Sequence, residues 1–342
     1  MRSEELISIV IPSCGDGIWL KRTVDSIRAM TTWSNYEIIV VLNYSLKNTT
    51  HNNVEFLRNS AYQDVILIES NHPLGVSGAR NAGASIAKGY FICFMDGHCL
   101  ILTPDWVQRI MELFHCDPQV CVICPEIAYF HGNGKFLADE FRWANHYVWG
   151  ATWDWKELSF TKEEYWLSDV HNHNPQFGKT QPYDMLSCPG SITFIRRDPF
   201  LELGQFEVSI AGWGREILDF TIRAWLMGYR VQVNPNVKMA HRVKYDISDY
   251  QYLRAWDHEI YASLLPSYKY FTNPNRIERC RNFYLNNIQF KDCVAFADRR
   301  AKQFRLDEYK ERFIQRAKYN DDWLFDTFNI DTGAYRDLSL RT

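Results

Sequence analysis

The sequence lacks the features that mark several specialised classes of protein. None of its apolar runs reaches the roughly 20 residues that a transmembrane helix needs, which leaves only peripheral membrane contact open. Lys and Arg total 38 against 41 Asp and Glu, and no basic stripe of the kind that binds nucleic acid is present. Internal repeats and low-complexity segments are also absent. We therefore expect neither a membrane-spanning protein nor a nucleic-acid-binding protein.

The cysteines give no sign of a disulfide framework. There are nine, an odd number, and they are scattered through apolar runs. Cys121 and Cys124 form a CxxC, but they lie in the strand-like run VCVICPEIA, where a spacing of three puts them on opposite faces. The N-terminal sequence MRSEELISIVIPS runs directly into a strand pattern, which leaves no room for a signal peptide. We therefore expect reduced thiols and a cytoplasmic location.

What the sequence does contain is an alternation of strand and helix patterns. Apolar, β-branched runs predict strands at 7–13, 36–43, 64–70, 90–96, 120–130, 191–198 and 230–244. Segments with helical spacing of apolar residues lie between them, at 15–30, 54–61, 75–89, 103–114 and 211–229. This alternation predicts an α/β fold with a mostly parallel, doubly wound sheet.

Two regions depart from this alternation. Residues 131–185 are rich in aromatic and polar residues and are predicted to form a long loop, of the kind that often serves as a functional lid. Residues 246–342 show mainly helical periodicity, which predicts a helical C-terminal extension.

Polar residues follow the predicted strands at the edge where open α/β sheets bind ligands. Pro12, Asn43 and Asp96 all lie at carboxyl ends of strands. Asp96 and His98 flank Gly97, and in an extended segment their side chains project to the same side. A carboxylate with an imidazole suits a divalent cation, and the imidazole favours Mn²⁺ over Mg²⁺. The alternative is that Asp96 caps the following helix and His98 has no role, since so short a motif is weak by itself.

A second acidic group lies on the helix predicted at 211–229. Glu216 and Asp219 are three residues apart and share a face, and Arg223 lies four residues beyond Asp219. The two carboxylates are candidate catalytic groups. For Asp219 and Arg223, a structural ion pair is the favoured interpretation.

In this order and spacing, the motifs resemble those of the GT-A-fold glycosyltransferases. ISIVIPS, EIIVVLN, GVSGARNAG and GYFICFMDGHCLILTPDW are similar to the family 2 pattern. The D-x-H-C form at Asp96 and the sequence WGREILDFTIRAW resemble more closely the polypeptide N-acetylgalactosaminyltransferases. The resemblance implies a Rossmann-like GT-A catalytic domain at 1–245, with a nucleotide-binding half at 1–110 and an acceptor and donor-sugar half at 111–245.

The resemblance also implies an activity and the residues that carry it. The expected reaction is metal-dependent transfer of a sugar from a nucleotide-sugar donor to a hydroxyl acceptor on a peptide, glycan or small molecule. Asp96, His98 and His241 match the three ligands of Mn²⁺ or Mg²⁺, and Glu216 matches the glutamate that holds donor-sugar hydroxyls. The candidate donor-binding residues are Pro12, Cys14, Asn43, Arg80, Gly97, Gly190, Trp213 and Lys244.

Two departures from the family pattern leave the donor and the mechanism open. Ile217 stands where inverting relatives carry the aspartate that acts as base, so Glu216, Asp219 or an unidentified group would have to take that role. The N-acetylgalactosaminyltransferases retain configuration without a protein base, which slightly favours retention here. Leu42 precedes Asn43 where relatives have a first aspartate, which leaves the nucleotide open. The expected donor is UDP-linked: UDP-GalNAc, UDP-GlcNAc or a UDP-hexose.

Two other classes of function, an inert binding module and a sugar nucleotidyltransferase, fit the sequence less well. An inert nucleotide-sugar-binding module would not need the full set of Asp96, His98, Glu216 and His241. A sugar nucleotidyltransferase would need a glycine-rich basic loop after the first strand, where this chain has SCGDGIWLKR with an acidic residue. His171 and His173 could form a second metal pair, but no third ligand lies nearby in sequence, so a solvated or acceptor-facing loop is favoured. Trp149, Trp153 and Trp155 could either stack on a sugar or peptide acceptor or belong to the core.

Overall fold

The computed structural model describes residues 5–43, 54–131, 142–154, 159–166, 180–210, 215–242, 256–286 and 288–328. Its strands are β1 Ile7–Ser13, β2 Tyr36–Leu42, β3 Val65–Glu69, β4 Phe91–Met95, β5 Cys99–Ile101, β6 Val120–His131, β7 Arg142–Asp154, β8 Ser159–Trp166, β9 Tyr183–Asp184, β10 Ile192–Arg196 and β11 Arg230–Arg242. Its helices are α1 Ile18–Met30, α2 Gly75–Ile86, α3 Trp106–Cys116, α4 Arg197–Glu202, α5 Glu216–Leu226, α6 Trp256–Lys269, α7 Pro274–Leu285, α8 Lys291–Gln303, α9 Leu306–Arg316 and α10 Asp321–Thr327.

One sheet organises the molecule, with strand order β3-β2-β1-β4-β10-β6-β11-β5. The first four strands in this order are parallel neighbours. Strand β10 runs antiparallel between β4 and β6, so β6 and its parallel partner β11 point the same way as β1. Only β10 and β5 oppose the common direction along this path. The predicted mostly parallel α/β sheet is therefore confirmed.

Helix α2 packs unusually close to this sheet because it is built from small residues. A Cβ atom on Gly83 would lie 2.4 Å from Val10 Cγ1 of β1 and 3.1 Å from Val41 Cγ2 of β2, so only glycine fits there. The close approach brings Arg80, one turn earlier on α2, to the carboxyl edge of the sheet. A small-residue sequence thereby positions a buried arginine.

Several elements differ from the sequence predictions. The strand predicted at 90–96 ends at Met95, and residues 96–98 turn into β5, which was not predicted. The helix predicted at 54–61 is a pair of 3₁₀ turns, Glu55–Arg58 and Ser60–Tyr62. The prediction of a loop throughout 131–185 is wrong, because β7 and β8 lie within it. Strand β7 pairs antiparallel with β6 on one side and with β8 on the other. Neither β7 nor β8 carries a continuous apolar run, so the hydrophobic pattern does not predict them.

The C-terminal part is helical, as predicted. Helices α6 to α10 occupy residues 256–327, apart from their connections and a 3₁₀ turn at Ile288–Phe290. The extension packs on the sheet-forming part, for example through the Trp225 ring of α5 against the rings of Trp323 and Phe328. The predicted domain boundary at 245 falls within 243–255, outside the described residues, and stays a prediction. No described helix combines the length and apolar character needed to cross a membrane.

Candidate functional site

Three predicted metal ligands converge at the carboxyl edge of the sheet. Ligand atoms of Asp96, His98 and His241 all lie within 4.8 Å of one another. Antiparallel pairing of β5 with β11 places Cys99 opposite His241, so the turn that carries His98 lies beside His241. The two imidazole rings have centroids 4.6 Å apart. One carboxylate and two imidazoles form a donor set that suits a divalent transition metal such as Mn²⁺.

The surroundings of Asp96 favour its ionised form. Burial raises the pKa of this carboxyl, but the adjacent imidazole of His241 and the guanidinium of Arg80 outweigh burial and lower the pKa to about 2. His241 Nε2 lies 3.6 Å from Asp96 Oδ2, and Arg80 Nη2 donates to Asp96 Oδ1 at 3.0 Å. Asp96 is therefore held as a carboxylate, the form that binds a metal ion.

Asp16, which the sequence does not predict as a site residue, contacts the metal cluster through His98. Its Oδ1 lies 2.9 Å from His98 Nδ1, and its Oδ2 accepts a hydrogen bond from Ser13 Oγ at 2.9 Å. A Cβ on Gly97 would lie 2.6 Å from Asp16 Oδ2, so glycine lets the carboxylate pack against the turn. With Nδ1 held by Asp16, His98 has Nε2 available for a metal, the carboxylate–histidine arrangement common in metal sites. The sequence offered no local signal for this contact, since the two residues lie 82 positions apart.

Replacing Asp16 with asparagine is expected to weaken Mn²⁺ binding by about 10- to 100-fold, because an outer-shell carboxylate orients its histidine and raises its basicity. Titration calorimetry with MnCl₂ would measure the change. Asp25→Asn is the matched control. Asp25 lies on α1 and pairs with Lys21 of the same helix and with the Tyr62 hydroxyl, away from the cluster. Equal Mn²⁺ affinity in Asp16→Asn and the control would contradict the assigned role.

Arg80 joins the metal cluster to the second acidic group. Its side chain is only 2% exposed. Nη1 donates to Glu216 Oε1 at 2.5 Å, while Nη2 donates both to Asp96 and, at 2.5 Å, to the carbonyl of Gly190. The sequence predicts Arg80 as a donor-binding residue. The structure places it at the centre of the site, where its charge offsets two carboxylates.

Glu216 offers an acceptor atom that has no hydrogen-bond partner among the described residues. It is the first residue of α5 and is 4% exposed. While Oε1 binds Arg80, Oε2 is buried without a hydrogen-bond partner among the described residues. The hydroxyl of Ser191, whose carbonyl accepts from the amide of Asp96, is likewise buried and unpartnered. Because an unsatisfied buried polar atom costs about 1–3 kcal/mol, a ligand with hydroxyl groups would be stabilised here.

Gly190 lies against the same carboxylate. A Cβ at this position would be 3.1 Å from Glu216 Oε1 and 3.5 Å from Arg80 Nη1. A larger residue would therefore crowd the space beside Glu216. Glycine leaves that space open, and the role of Gly190 in donor binding stays a prediction.

Asp219 lies in a buried ion network rather than at the open side of the site. Its carboxylate accepts from Lys269 Nζ at 3.0 and 3.2 Å, from the Tyr270 hydroxyl at 2.8 Å and from Arg223 Nη2 at 3.3 Å. The side chain is 2% exposed. The geometry favours the structural interpretation of Asp219 and Arg223, while a catalytic role for Asp219 stays an untested prediction.

Other predicted site residues have different positions. Asn43 braces the start of α2, with its amide nitrogen donating to the Gly75 carbonyl at 3.1 Å and its oxygen accepting from the Leu74 amide at 2.9 Å. Pro12 and Cys14 are buried at and just beyond the end of β1. For Trp149 and Trp153 only the backbone, in β7, is described. The residues outside the described ranges are Trp155, His171, His173, Trp213 and Lys244.

Comparisons with known proteins show which family the chain resembles in sequence. Residues 8–204 match the family described as Glycosyl transferase family 2. The chain is 24% identical over 188 residues to "Probable N-acetylgalactosaminyltransferase 8" of Caenorhabditis elegans, covering 55% of this chain and 42% of that protein. It is 24% identical over 311 residues to "Inactive polypeptide N-acetylgalactosaminyltransferase-like protein 5" of Macaca fascicularis, covering 82% and 66%. The chain thus spans less than two thirds of these relatives' length.

A solved structure shares the fold. The structure described as "Crystal structure of GalNAc-T7 with UDP, GalNAc and Mn2+" superposes with a TM-score of 0.70 at 19% identity, covering 97% of this chain and 58% of that one. This likeness confirms the GT-A fold with a helical C-terminal part. Since the family match extends over more than half of the sequence and includes Arg80, Asp96 and His98, the chain belongs to glycosyl transferase family 2.

Proposed function

We propose that this protein is a metal-dependent glycosyltransferase that moves a sugar from a nucleotide-sugar donor to a hydroxyl group. The observation that carries the proposal is a single connected arrangement: the Asp96–His98–His241 cluster is joined through Arg80 to Glu216, whose Oε2 is buried and has no partner in the part of the chain that the structure describes. A metal-binding cluster and a hydroxyl-binding carboxylate are the two recognition elements that a nucleotide sugar requires. Membership of the family supports the same reaction class.

The proposed cofactor is Mn²⁺, with Mg²⁺ as the alternative. The donor set fits it, because Asp96 is held as a carboxylate and Asp16 orients His98. A divalent cation held by these residues would neutralise charge on the donor diphosphate as the nucleotide departs. Arg80 and Glu216 would then hold the sugar, Glu216 Oε2 by accepting from a sugar hydroxyl and Arg80 by fixing the carboxylate in place.

The proposed donor is a UDP-linked N-acetylhexosamine or hexose, and the proposed acceptor is a hydroxyl on a peptide. Relatives named as N-acetylgalactosaminyltransferases, and a structural neighbour whose description includes UDP and GalNAc, support the donor class. The name "polypeptide N-acetylgalactosaminyltransferase", carried by other matched relatives, supports a peptide acceptor. Polysaccharide, lipid-linked and small-molecule acceptors are the alternatives.

For stereochemistry we propose retention of the anomeric configuration. Ile217 is buried and cannot accept a proton, Asp219 is held by Lys269, and Glu216 binds Arg80 through Oε1 while its Oε2 is assigned to a hydroxyl of the donor sugar. In that arrangement the leaving diphosphate oxygen is the better acceptor for the proton of the attacking hydroxyl. The anomeric coupling constant in the NMR spectrum of the product tests this, since an inverted product would contradict it.

A screen of donors and acceptors tests the proposed function directly. The purified chain with Mn²⁺ would be incubated with UDP-GalNAc, UDP-GlcNAc and UDP-glucose, with and without peptide, glycan and small-molecule acceptors, and the products read by mass spectrometry. Transfer or slow donor hydrolysis is the expected result. Nucleotide-sugar binding without turnover would instead support an inert binding module, and absence of binding to every donor would overturn both.

Replacing Glu216 with glutamine is expected to lower kcat/KM for the nucleotide sugar by at least about tenfold, because a charge-assisted hydrogen bond contributes roughly 1.5–3 kcal/mol. Binding of UDP alone should change little, since Glu216 is assigned to the sugar. Initial rates and titration calorimetry measure the two quantities. Glu202→Gln, which removes only a surface contact with Tyr229, is the control. A parallel loss of UDP affinity would contradict this assignment.

We also propose a cytoplasmic location. The nine cysteines are free, and all except Cys116 are buried. Free thiols persist where glutathione and thioredoxin keep the environment reducing. Thiol titration of the denatured protein, isolated from its source with alkylation at lysis, should count nine groups. A smaller count would oppose this location.

A further inference from the structure

We propose that Lys269, in the helical C-terminal extension, is a positioning residue for the donor-sugar site: it holds the carboxylate of Asp219 and thereby fixes the helix that begins at Glu216. The inference rests on the proposed function of Glu216. It assigns the extension a role in the site, although no residue from it reaches the metal cluster among the described residues.

The contact between the extension and α5 is direct and fully buried. Lys269 is the last residue of α6 and has a side-chain exposure of 0%. Its Nζ lies 3.0 and 3.2 Å from the two oxygens of Asp219, and the neighbouring Tyr270 hydroxyl donates to the same carboxylate at 2.8 Å. Asp219 follows Glu216 by three residues on α5, so the two belong to the same helical turn. A displacement of Asp219 would therefore shift Glu216.

Lys269 is also connected to Arg80, through Glu207, Phe206 and Asn81. Lys269 Nζ also donates to Glu207 Oε2 at 2.7 Å, which ties the segment 203–207 to the extension. Within that segment, the backbone of Phe206 exchanges two hydrogen bonds with the Asn81 side chain, at 2.9 and 3.1 Å. Asn81 is next to Arg80 on α2, and the Arg80 guanidinium carbon lies 5.9 Å from the centroid of the Phe206 ring. Lys269 thus connects to both partners of the Arg80–Glu216 pair.

The charges of the network balance only when Lys269 is present. Two carboxylates, Asp219 and Glu207, face two cations, Lys269 and Arg223. Burial raises the pKa of Glu207, but the charge of Lys269 outweighs it and lowers the pKa to about 2. Without Lys269, Asp219 would keep the neutral hydroxyl of Tyr270 and the guanidinium of Arg223, which already donates to the carbonyls of Leu203 and Gln205 at 2.7 and 2.6 Å. A buried carboxylate with too few donors draws in water or moves, and either change displaces α5.

The experiment compares the affinities for a nucleotide sugar and for UDP alone, each measured with Mn²⁺ by titration calorimetry. The probe is whichever of UDP-GalNAc, UDP-GlcNAc and UDP-glucose the wild type binds. In Lys269→Met, we expect the preference for the nucleotide sugar over UDP to fall on the order of tenfold, because small misplacements of a positioned group have effects of that size or larger. Lys269→Arg, which keeps the charge, should restore part of the preference.

Arg276→Met is the matched control. Arg276 is also buried and pairs with Asp321 at 2.6 Å, but this ion pair lies wholly within the extension. The control should lose thermal stability and keep the wild-type preference for the nucleotide sugar. If Lys269→Met does not fold, the double variant Lys269→Met with Glu207→Gln removes one cation and one anion together, and the same ratio is measured on it and on Lys269→Arg.

The outcomes separate this inference from the function on which it rests. Wild-type protein that binds no nucleotide sugar would overturn the proposed function and this inference together. Wild-type binding with an unchanged sugar-to-UDP preference in every folded Lys269 variant would overturn the positioning role alone. An equal loss of preference in Arg276→Met would also overturn it, because the effect would then follow from general destabilisation.

Discussion

Replacing His98 or His241 with alanine is expected to abolish Mn²⁺-dependent turnover and to weaken Mn²⁺ binding by at least about 100-fold. The cluster offers three protein ligands, and loss of even an outer-shell partner typically costs 10- to 100-fold in metal affinity, so loss of a ligand should cost more. The remaining carboxylate and imidazole cannot make up the deficit, because ligand number sets affinity at such a site. Electron paramagnetic resonance of free Mn²⁺ and initial rates with the preferred donor measure the two effects.

His115→Ala is the control for both histidines. His115 lies in the last turn of α3, its ring contacts Tyr90, and Tyr90 directly precedes β4. It therefore belongs to the amino edge of the sheet, opposite the metal cluster, and its loss should leave Mn²⁺ binding unchanged. Retention of wild-type Mn²⁺ affinity in both His98→Ala and His241→Ala would refute the metal assignment.

Replacing Arg80 with methionine is expected to lower the free energy of unfolding by about 3–5 kcal/mol, the usual cost of removing one partner from a buried ion pair. The substitution would leave Asp96 and Glu216 facing each other without the guanidinium that now bridges them. It would also leave the Gly190 carbonyl without its donor. Denaturant titration monitored by tryptophan fluorescence measures the change, and donor turnover should be lost in the same variant, since Glu216 would no longer be held.

Arg28→Met provides the contrast. Arg28 pairs with Asp64 on the surface, where the carboxylate is 65% exposed. Exposed ion pairs contribute about 0–1 kcal/mol, so the free energy of unfolding should fall by no more than that. Similar small losses in Arg80→Met and Arg28→Met would show that the Arg80 bridge does not stabilise the protein and would remove the basis for its central place in the site.

Much of the fold and the metal cluster could be predicted because the relevant signals are local. Strands such as β1 and β2 carry continuous β-branched runs that only a buried parallel sheet accommodates. Asp96 and His98 lie at a strand end, and their motif resembles one family closely enough to add His241. Helix α5 was recognised from its periodicity, although its described part begins at Glu216 rather than at 211.

The supporting contacts could not be predicted, because they join residues far apart in the chain. In the sequence, Asp16 indicates only that the loop after β1 is acidic and therefore unlike a phosphate-binding loop. In the structure its carboxylate contacts His98 Nδ1, although the two residues are 82 positions apart in the chain. Lys269 belongs to an extension whose sequence indicates helices and nothing about their partners. Strands β7 and β8 lack the continuous apolar run that marks a buried strand, and they are revealed by the pairing of β7 with β6 and of β8 with β7.

Most strands and helices, and the candidate residues for binding a metal ion or a sugar, follow from the sequence alone. Backbone preference and hydrophobic pattern act over a few residues, so they can be read from the chain directly. Only the tertiary structure shows that Arg80 joins Asp96 to Glu216 and that Asp219 pairs with Lys269. Both contacts depend on which charges become buried together, and burial is set by the packing of the whole chain. A carboxylate that is buried without a cation or donor destabilises the fold, so each of these carboxylates has a cation beside it.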